Sequence, residues 1–270
     1  MEILSVVMTS YCEDKDRLIK SVDSILSQTY KFFKLIIIVE FRDSNVDVFS
    51  AYAKKDQRVE LHFNDRKLGF PASLNKGLYF SNSKYIARID SDDTCHPERF
   101  ERQISFLEGH SDVDVLGSWM SYDNNEAIRA YPEFHNEILK SFLFSTAISH
   151  PAVMIRAEVI HKFGNYSEIF HQAEDLELWL RLLRNGCIFH NLQEALINYH
   201  VSFTSLPLEG RKNINFSFNY QARKIHNTYV FPFLAARVSL LVFWIMSITP
   251  SFLYGIIDAI FSKKIKKIGS

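Results

Sequence analysis

The chain has 270 residues and 47% hydrophobic content, enough for one full α/β domain with an appendage. Its 23 phenylalanines supply bulky core material and exclude a disordered protein. The 31 basic and 31 acidic residues cancel, so no global field draws the chain to nucleic acid.

Ile3-Leu4-Ser5-Val6-Val7-Met8 reads as a strand with no basic leader before it, so no signal peptide is expected. Leu18, Val22, Ile25 and Leu26 then recur at helical spacing. Leu35–Val39 and Val59–Phe63 predict the next two strands, and residues 71–80 a short helix with Pro71 in its first turn. Tyr85–Ile89 predicts a fourth strand, which runs straight into Asp90-Ser91-Asp92-Asp93. Open α/β sheets bind ligands at the carboxyl ends of their strands. Aspartates crowded there repel one another unless a positive group sits among them. A hard divalent ion with oxygen ligands suits them and commonly holds phosphates too. That spacing points to a metal–diphosphate site.

Pro97 opens a predicted helix with Phe100, Ile104 and Leu107 on one face, followed by a strand over Val113–Leu116. Ala152–Ile155 is strand-like after His150-Pro151. Leu176, Trp179, Leu180 and Leu183 mark an amphipathic helix that Asn185-Gly186 ends. Glu174 and Asp175 lie at its start, where the helix dipole favours acids, so by themselves they read as first-turn residues. Alternation of this kind predicts a mostly parallel sheet with helices on both faces.

The basic end of the chain is the carboxyl-terminal one. Val238–Ile257 carries no charge, near the ~20 apolar residues of a spanning helix, but Pro250 interrupts it. Lys263, Lys264, Lys266 and Lys267 follow. Cys12, Cys95 and Cys187 stand in no metal-ligand spacing and read as reduced thiols. A single span would separate the lysines from the soluble domain, whereas both prefer the cytoplasmic side. A monotopic anchor hinged at Thr249-Pro250 satisfies both. A true span, or a helix pair packed on the domain or on a second copy in a homodimer, are the alternatives. The expected division is therefore a soluble domain over 1–228 and a membrane-associating segment over 229–270.

Several separated stretches together resemble one family. Ser5–Tyr11, Ser21–Tyr30, Leu68-Gly69 with Asn75 and Gly77, Asp90-Ser91-Asp92-Asp93 with Pro97-Glu98-Arg99, His150-Pro151, and Glu174-Asp175 with Leu178-Trp179 occur in the order of the family 2 glycosyltransferases. The resemblance covers about Ile3 to Tyr199 and implies a GT-A fold. It implies a nucleotide-sugar donor, a UDP-sugar first of all, with Thr9, Tyr11, Glu40 and Asn75 lining the nucleoside pocket and Asp90 contacting the nucleotide. Asp92 would coordinate Mg²⁺ or Mn²⁺ at the diphosphate. Asp175, with Glu174 beside it, would be the base that deprotonates the acceptor hydroxyl, giving inversion at the anomeric carbon. A first-turn carboxylate is expected to stay ionised at neutral pH. The hydrophobic, lysine-flanked tail suggests a lipid-linked glycan acceptor, in surface polysaccharide assembly at the cytoplasmic face of a bacterial inner membrane.

The chain departs from the family in two places. Two adjacent aspartates are usual where it has Glu40-Phe41, and Tyr-Arg-x-His is common where it has Tyr199-His200-Val201-Ser202. His200 is a candidate metal or phosphate ligand, or a structural histidine after a strand. The processive Gln-x-x-Arg-Trp signature is absent, so one sugar is expected per encounter. An EF-hand over Asp90, Asp92, Thr94 and Glu101 fails because Cys95 takes the place of its glycine and a strand precedes it. A nucleotidyltransferase would need a glycine-rich basic loop after the first strand, but the loop is Thr9-Ser10-Tyr11-Cys12-Glu13-Asp14. A non-catalytic nucleotide-sugar-binding or scaffold subunit is the remaining alternative.

Overall fold

The computed structural model describes residues 3–122, 127–200, 208–248 and 265–267. Strands β1 (Leu4–Ser10), β2 (Phe33–Val39), β3 (Val59–Phe63) and β4 (Tyr85–Asp90) alternate with helices α1 (Lys15–Leu26), α2 (Val46–Lys55) and α3 (Phe70–Phe80). All four strands pair in parallel, in the order β3-β2-β1-β4. The expected parallel sheet is thus present in this half. The apolar alternation of β1 serves both faces. Leu4, Val6 and Met8 enter one core with Leu18, Val22 and Phe49, while Val7 enters the other with Leu74 and Leu78. On that second face α3 presses so closely that a Cβ on Gly77 would fall 2.4 Å from Val7 Cγ1. Only glycine fits there.

Beyond β4 the pairing becomes mixed. After β5 (Thr94–Cys95) and α4 (Arg99–Gly109) come β6 (Val115–Tyr122), β7 (Ala127–Arg129), α5 (His135–Ser141), β8 (Met154–Arg156), α6 (Ala157–Phe163), α7 (Glu174–Arg184) and β9 (Phe189–Tyr199). β8 lies antiparallel between β4 and β6, β7 is antiparallel to β6, and β9 is parallel to β6 but antiparallel to β5. The expected strand over Ala152–Ile155 starts later, because Pro151 holds His150–Ala152 in a single 3₁₀ turn before β8.

α8 (Leu208–Val230) and α9 (Phe233–Ile248) form a hairpin that packs on α7, and the boundary expected at 228 falls inside the last turn of α8. Buried His226 meets Glu177 of α7 at 3.1 Å, and the Phe170 and Phe218 rings sit 6.4 Å apart, edge to face. Buried Arg223 donates to the carbonyls of Phe142 and Leu143 just past α5. It thereby satisfies carbonyls left open at that helix end. Among the described residues no helix is long and apolar enough to cross a membrane. The expected hinge at Thr249-Pro250 and the lysines at 263 and 264 lie outside the described residues, and 265–267 form a short strand, β10, beside β7.

Candidate active site

In the strand order β3-β2-β1-β4, the connections leave β1 on opposite sides, which makes the gap between the carboxyl ends of β1 and β4 the switch point where open sheets bind ligands. Thr9 and Asp90 are register partners there. A cleft of about 230 Å³ opens at this edge, and its wall includes Thr9, Tyr11, Glu40, Asp90 and Asp92. Five of the residues singled out by sequence therefore meet in one place. Gly69, Phe70, Ser73, Glu13 and Lys67 complete much of the wall, and none of these had been assigned a role. Lys67 Nζ stands 4.8 Å over the ring of exposed Tyr11, a cation–π pair at the mouth.

Glu40 is buried, and its carboxylate accepts from the N–H groups of Phe41 (2.8 Å), Leu68 (3.2 Å) and Gly69 (2.9 Å), the amide of Asn64 (3.1 Å) and the Ser73 hydroxyl (3.4 Å). Burial pushes its pKa up, yet these donors outweigh burial and hold it below the ordinary value. Glu40 thus braces the Leu68-Gly69 loop as well as facing the cleft. Gly69 meets it with φ +85°, a conformation that side-chain-bearing residues rarely adopt.

A polar row on α1 fastens the acidic loop. Ser21 Oγ donates to the Asp90 carbonyl (3.2 Å), and Cys95 N–H donates to Ser24 Oγ (3.0 Å). Gln28, fully buried, donates to the His96 carbonyl (2.7 Å) and accepts from Phe100 N–H (3.1 Å). Fully buried Arg99 reaches the carbonyls of Arg88 (3.0 Å) and Val153 (3.2 Å), tying α4 to the end of β4.

The carboxylates of Asp90, Asp92 and Asp93 each bring an oxygen within 4.8 Å of the others. Asp93 is fully buried: Oδ1 accepts from His200 N–H (2.9 Å), while Oδ2 has no partner. Burial and the charge of Asp90 push Asp92 up, and the same two causes push Asp93 well up. An all-oxygen trio with an orphaned oxygen and mutual repulsion fits a hard divalent cation such as Mg²⁺ or Mn²⁺. Glu13 across the cleft is raised to about 7, first by burial and then by the charges of Asp92, Asp90 and Asp43.

Glu174 and Asp175 open α7 and do not stand on the cleft wall. Arg88 links the two groups of acids: its guanidinium grips both oxygens of Asp90, with one bond at 2.8 Å, and lies 5.2 Å over the Phe70 ring. Its charge also pulls Glu174 and Asp175 down, whereas Asp90 pushes them up. The expectation that a first-turn acid stays ionised at neutral pH needs correction for Glu174. Burial outweighs the helix dipole and raises Asp175, and burial with the Asp175 charge raises Glu174 to about 8.

His150 accepts or donates at 2.8 Å with the Tyr166 hydroxyl, beneath the rings of Phe70 and Trp179. Burial first, then Arg88, holds its pKa well below the ordinary value, so it is a neutral support. Asn75, expected in the nucleoside pocket, is not on the cleft wall. Its amide donates to the Tyr166 carbonyl (2.9 Å) and accepts from Tyr166 N–H (2.9 Å), pairing with that backbone as a strand would.

The family described as glycosyl transferase family 2 matches residues 5–163, and glycosyl transferase family group 2 matches 85–261. An uncharacterised glycosyltransferase of Methanocaldococcus jannaschii is 30% identical over 97% of this chain and 94% of its own. The O-antigen biosynthesis glycosyltransferase WbnJ of Escherichia coli is 35% identical, covering 74% of this chain and 80% of its own. An E. coli UDP-Gal:alpha-D-GlcNAc-diphosphoundecaprenol beta-1,3-galactosyltransferase is 30% identical, covering 73% and 74%. Among solved structures, S. aureus TarS 1-349 with UDP-GlcNAc superposes with TM-score 0.66 at 14% identity, over 90% of this chain and 72% of that one. The mannosyltransferase PcManGT of Pyrobaculum calidifontis with GDP-Man and Mn²⁺ gives 0.67 at 9%, over 97% and 80%.

Proposed function

The chain belongs to the family 2 glycosyltransferases, and on that premise we propose that it moves one sugar, with inversion, from a UDP-sugar to a hydroxyl of a lipid-linked glycan. The observation that carries this reading is the meeting of Thr9, Tyr11, Glu40, Asp90 and Asp92 around one cleft at the sheet's switch point. Tyr11 offers a ring to the base, and Thr9 and Asp90 offer polar atoms to the nucleoside. Asp92, with Asp90 and Asp93 at hand, would hold Mg²⁺ or Mn²⁺, which neutralises charge gathering on a departing nucleoside diphosphate.

Asp175 is the base in this reading. Glu174, with a pKa of about 8, keeps a proton at neutral pH and so spares Asp175 a second charge beside it. Asp175 Oδ1 is engaged by Leu176 N–H at 2.7 Å, which fixes the carboxylate while its other oxygen takes the acceptor proton. The named activity of the E. coli galactosyltransferase, with a UDP-sugar donor and a diphosphoundecaprenol-linked acceptor, supports the donor and acceptor classes. Work on O-antigen by WbnJ supports a place in surface polysaccharide synthesis.

The test is a panel of UDP- and GDP-sugars with Mn²⁺, read by donor turnover and by nucleotide-dependent thermal shift. Asp175→Asn is expected to cut transfer by about 10²–10⁴-fold while the nucleotide shift stays within a few-fold of wild type. An unchanged rate overturns the base assignment. A nucleotide shift without turnover in the wild type would instead mark a binding subunit.

A further inference from the structure

We infer that the outer face of α9 is a docking surface for an anionic lipid bilayer. At about 100° per residue, Phe233, Leu234, Val238, Leu241, Trp244 and Ile248 fall within an arc of about 140° on the helix. The described residues leave that arc uncovered: Leu234 is 75% exposed, Phe233 68%, Ile248 61% and Leu241 55%. Ala236, Ser239 and Phe243, on the opposite side, are buried against the rest of the molecule. α9 is therefore apolar on both sides, with one side spent on the fold and one left over.

Two features select the occupant. A helix-to-helix seam needs only a narrow stripe, whereas this face is as wide as the buried face of a surface helix and carries aromatic rings, Phe233 and Trp244, along one flank. Its charge is one-sided as well. No Asp or Glu occurs from 210 to 248, while exposed Arg237 lies within the arc, exposed Lys224 stands on the neighbouring α8, and four lysines follow at 263–267. A second copy of the same face would bring cation against cation, but an anionic headgroup layer complements it. The 16 described residues of α9 are too few to cross, and on them the contact lies in the plane of the interface.

The placement deepens the reading of a lipid-linked acceptor and rests on it only for its use, not for the contact. α9 packs on α8, and α8 packs on α7, whose first turn holds Glu174 and Asp175. A bilayer under α9 is then two helices from the proposed base.

The test uses the full chain and vesicles of phosphatidylcholine with or without about one-third phosphatidylglycerol, by sedimentation. Binding to the anionic vesicles is expected, falling by about tenfold in Leu234→Glu/Leu241→Glu and less in Arg237→Glu. Trp244 gives a readout independent of disruptive variants: its emission should shift to the blue with anionic vesicles, and Trp244→Phe should abolish that change. The inference is overturned if the double variant binds as wild type does. It is equally overturned if wild type ignores both vesicles, whether it remains a monomer or forms a dimer that the double variant dissociates. Nucleotide-dependent thermal shift, measured alongside, separates this result from any failure of the donor assignment.

Discussion

The aspartates ending β4 and the acids opening α7 are both crowded carboxylates, yet their housing assigns them different chemistry. Asp90 and Asp92 line an open cleft, with Asp93 buried beside them, so a cation from solvent can reach the first two. Glu174 is buried with one oxygen unpartnered, and among the described residues no cation-sized trio of ligands includes it. In the proposed reading a metal relieves the repulsion in the first group and a proton relieves it in the second. Arg88 serves both, gripping Asp90 and pulling down Glu174 and Asp175. In the proposed reading a carboxylate is thus a metal ligand at an accessible strand end and a proton carrier at a buried helix start.

The sharpest way to break that contrast is Asp92→Asn. It should lower transfer by about 10²–10³-fold, roughly 2.7–4 kcal/mol, and abolish the Mn²⁺ dependence of nucleotide binding. Calorimetric titration of nucleotide with and without Mn²⁺ checks it, and an intact metal response would dissolve the distinction. Arg88→Met should next cost about 3 kcal/mol of stability, the low end for a broken buried ion pair because the Asp90 side chain keeps 27% exposure. Asp92, Asp93, Glu174 and Asp175 should then titrate higher, which moves the pH–rate profile upward; a profile that stays put would show that Arg88 serves Asp90 alone.

The smallest effect should come from Glu174→Gln. Burial and Asp175 raise Glu174 from 4.5 to about 8, so the folded chain holds that proton more tightly than the unfolded one. Its contribution to stability is complete below about 4.5 and is lost as pH climbs to about 8. Glutamine removes the loss and should stabilise the protein by roughly 1–2 kcal/mol above pH 8. Melting temperatures measured from pH 5 to about 9 test this, and parallel curves for the two proteins would contradict it.

Local patterns carried most of the first half. Strands at 4–8, 35–39 and 85–89 lengthen by only a residue or two, because each is a buried apolar run with little alternative, and the half-buried strand at 59–63 keeps its bounds beside Leu35–Val39. α2 escaped notice since Val48 and Phe49 are its only buried residues, too few to make a periodic face. Asn75 stands off the cleft wall for a reason of another kind. Its partner, the backbone of Tyr166, is 91 positions away, and no local pattern reveals that pairing. Glu13 was seen only as one more acid in the first loop, and Lys67 carried no local signal at all; both became site residues when β1 and α3 converged on the cleft.

By itself the sequence determined that a parallel sheet would form, that acids would gather where its fourth strand ends, and that an uncharged, basic-flanked segment would close the chain. These follow from period, apolar content and the order of motifs, which are local properties. Which acids would stay charged was decided only by tertiary structure. Burial, the distance to Arg88 and the backbone donors around Glu40 set each pKa, and all three depend on residues far apart in the chain.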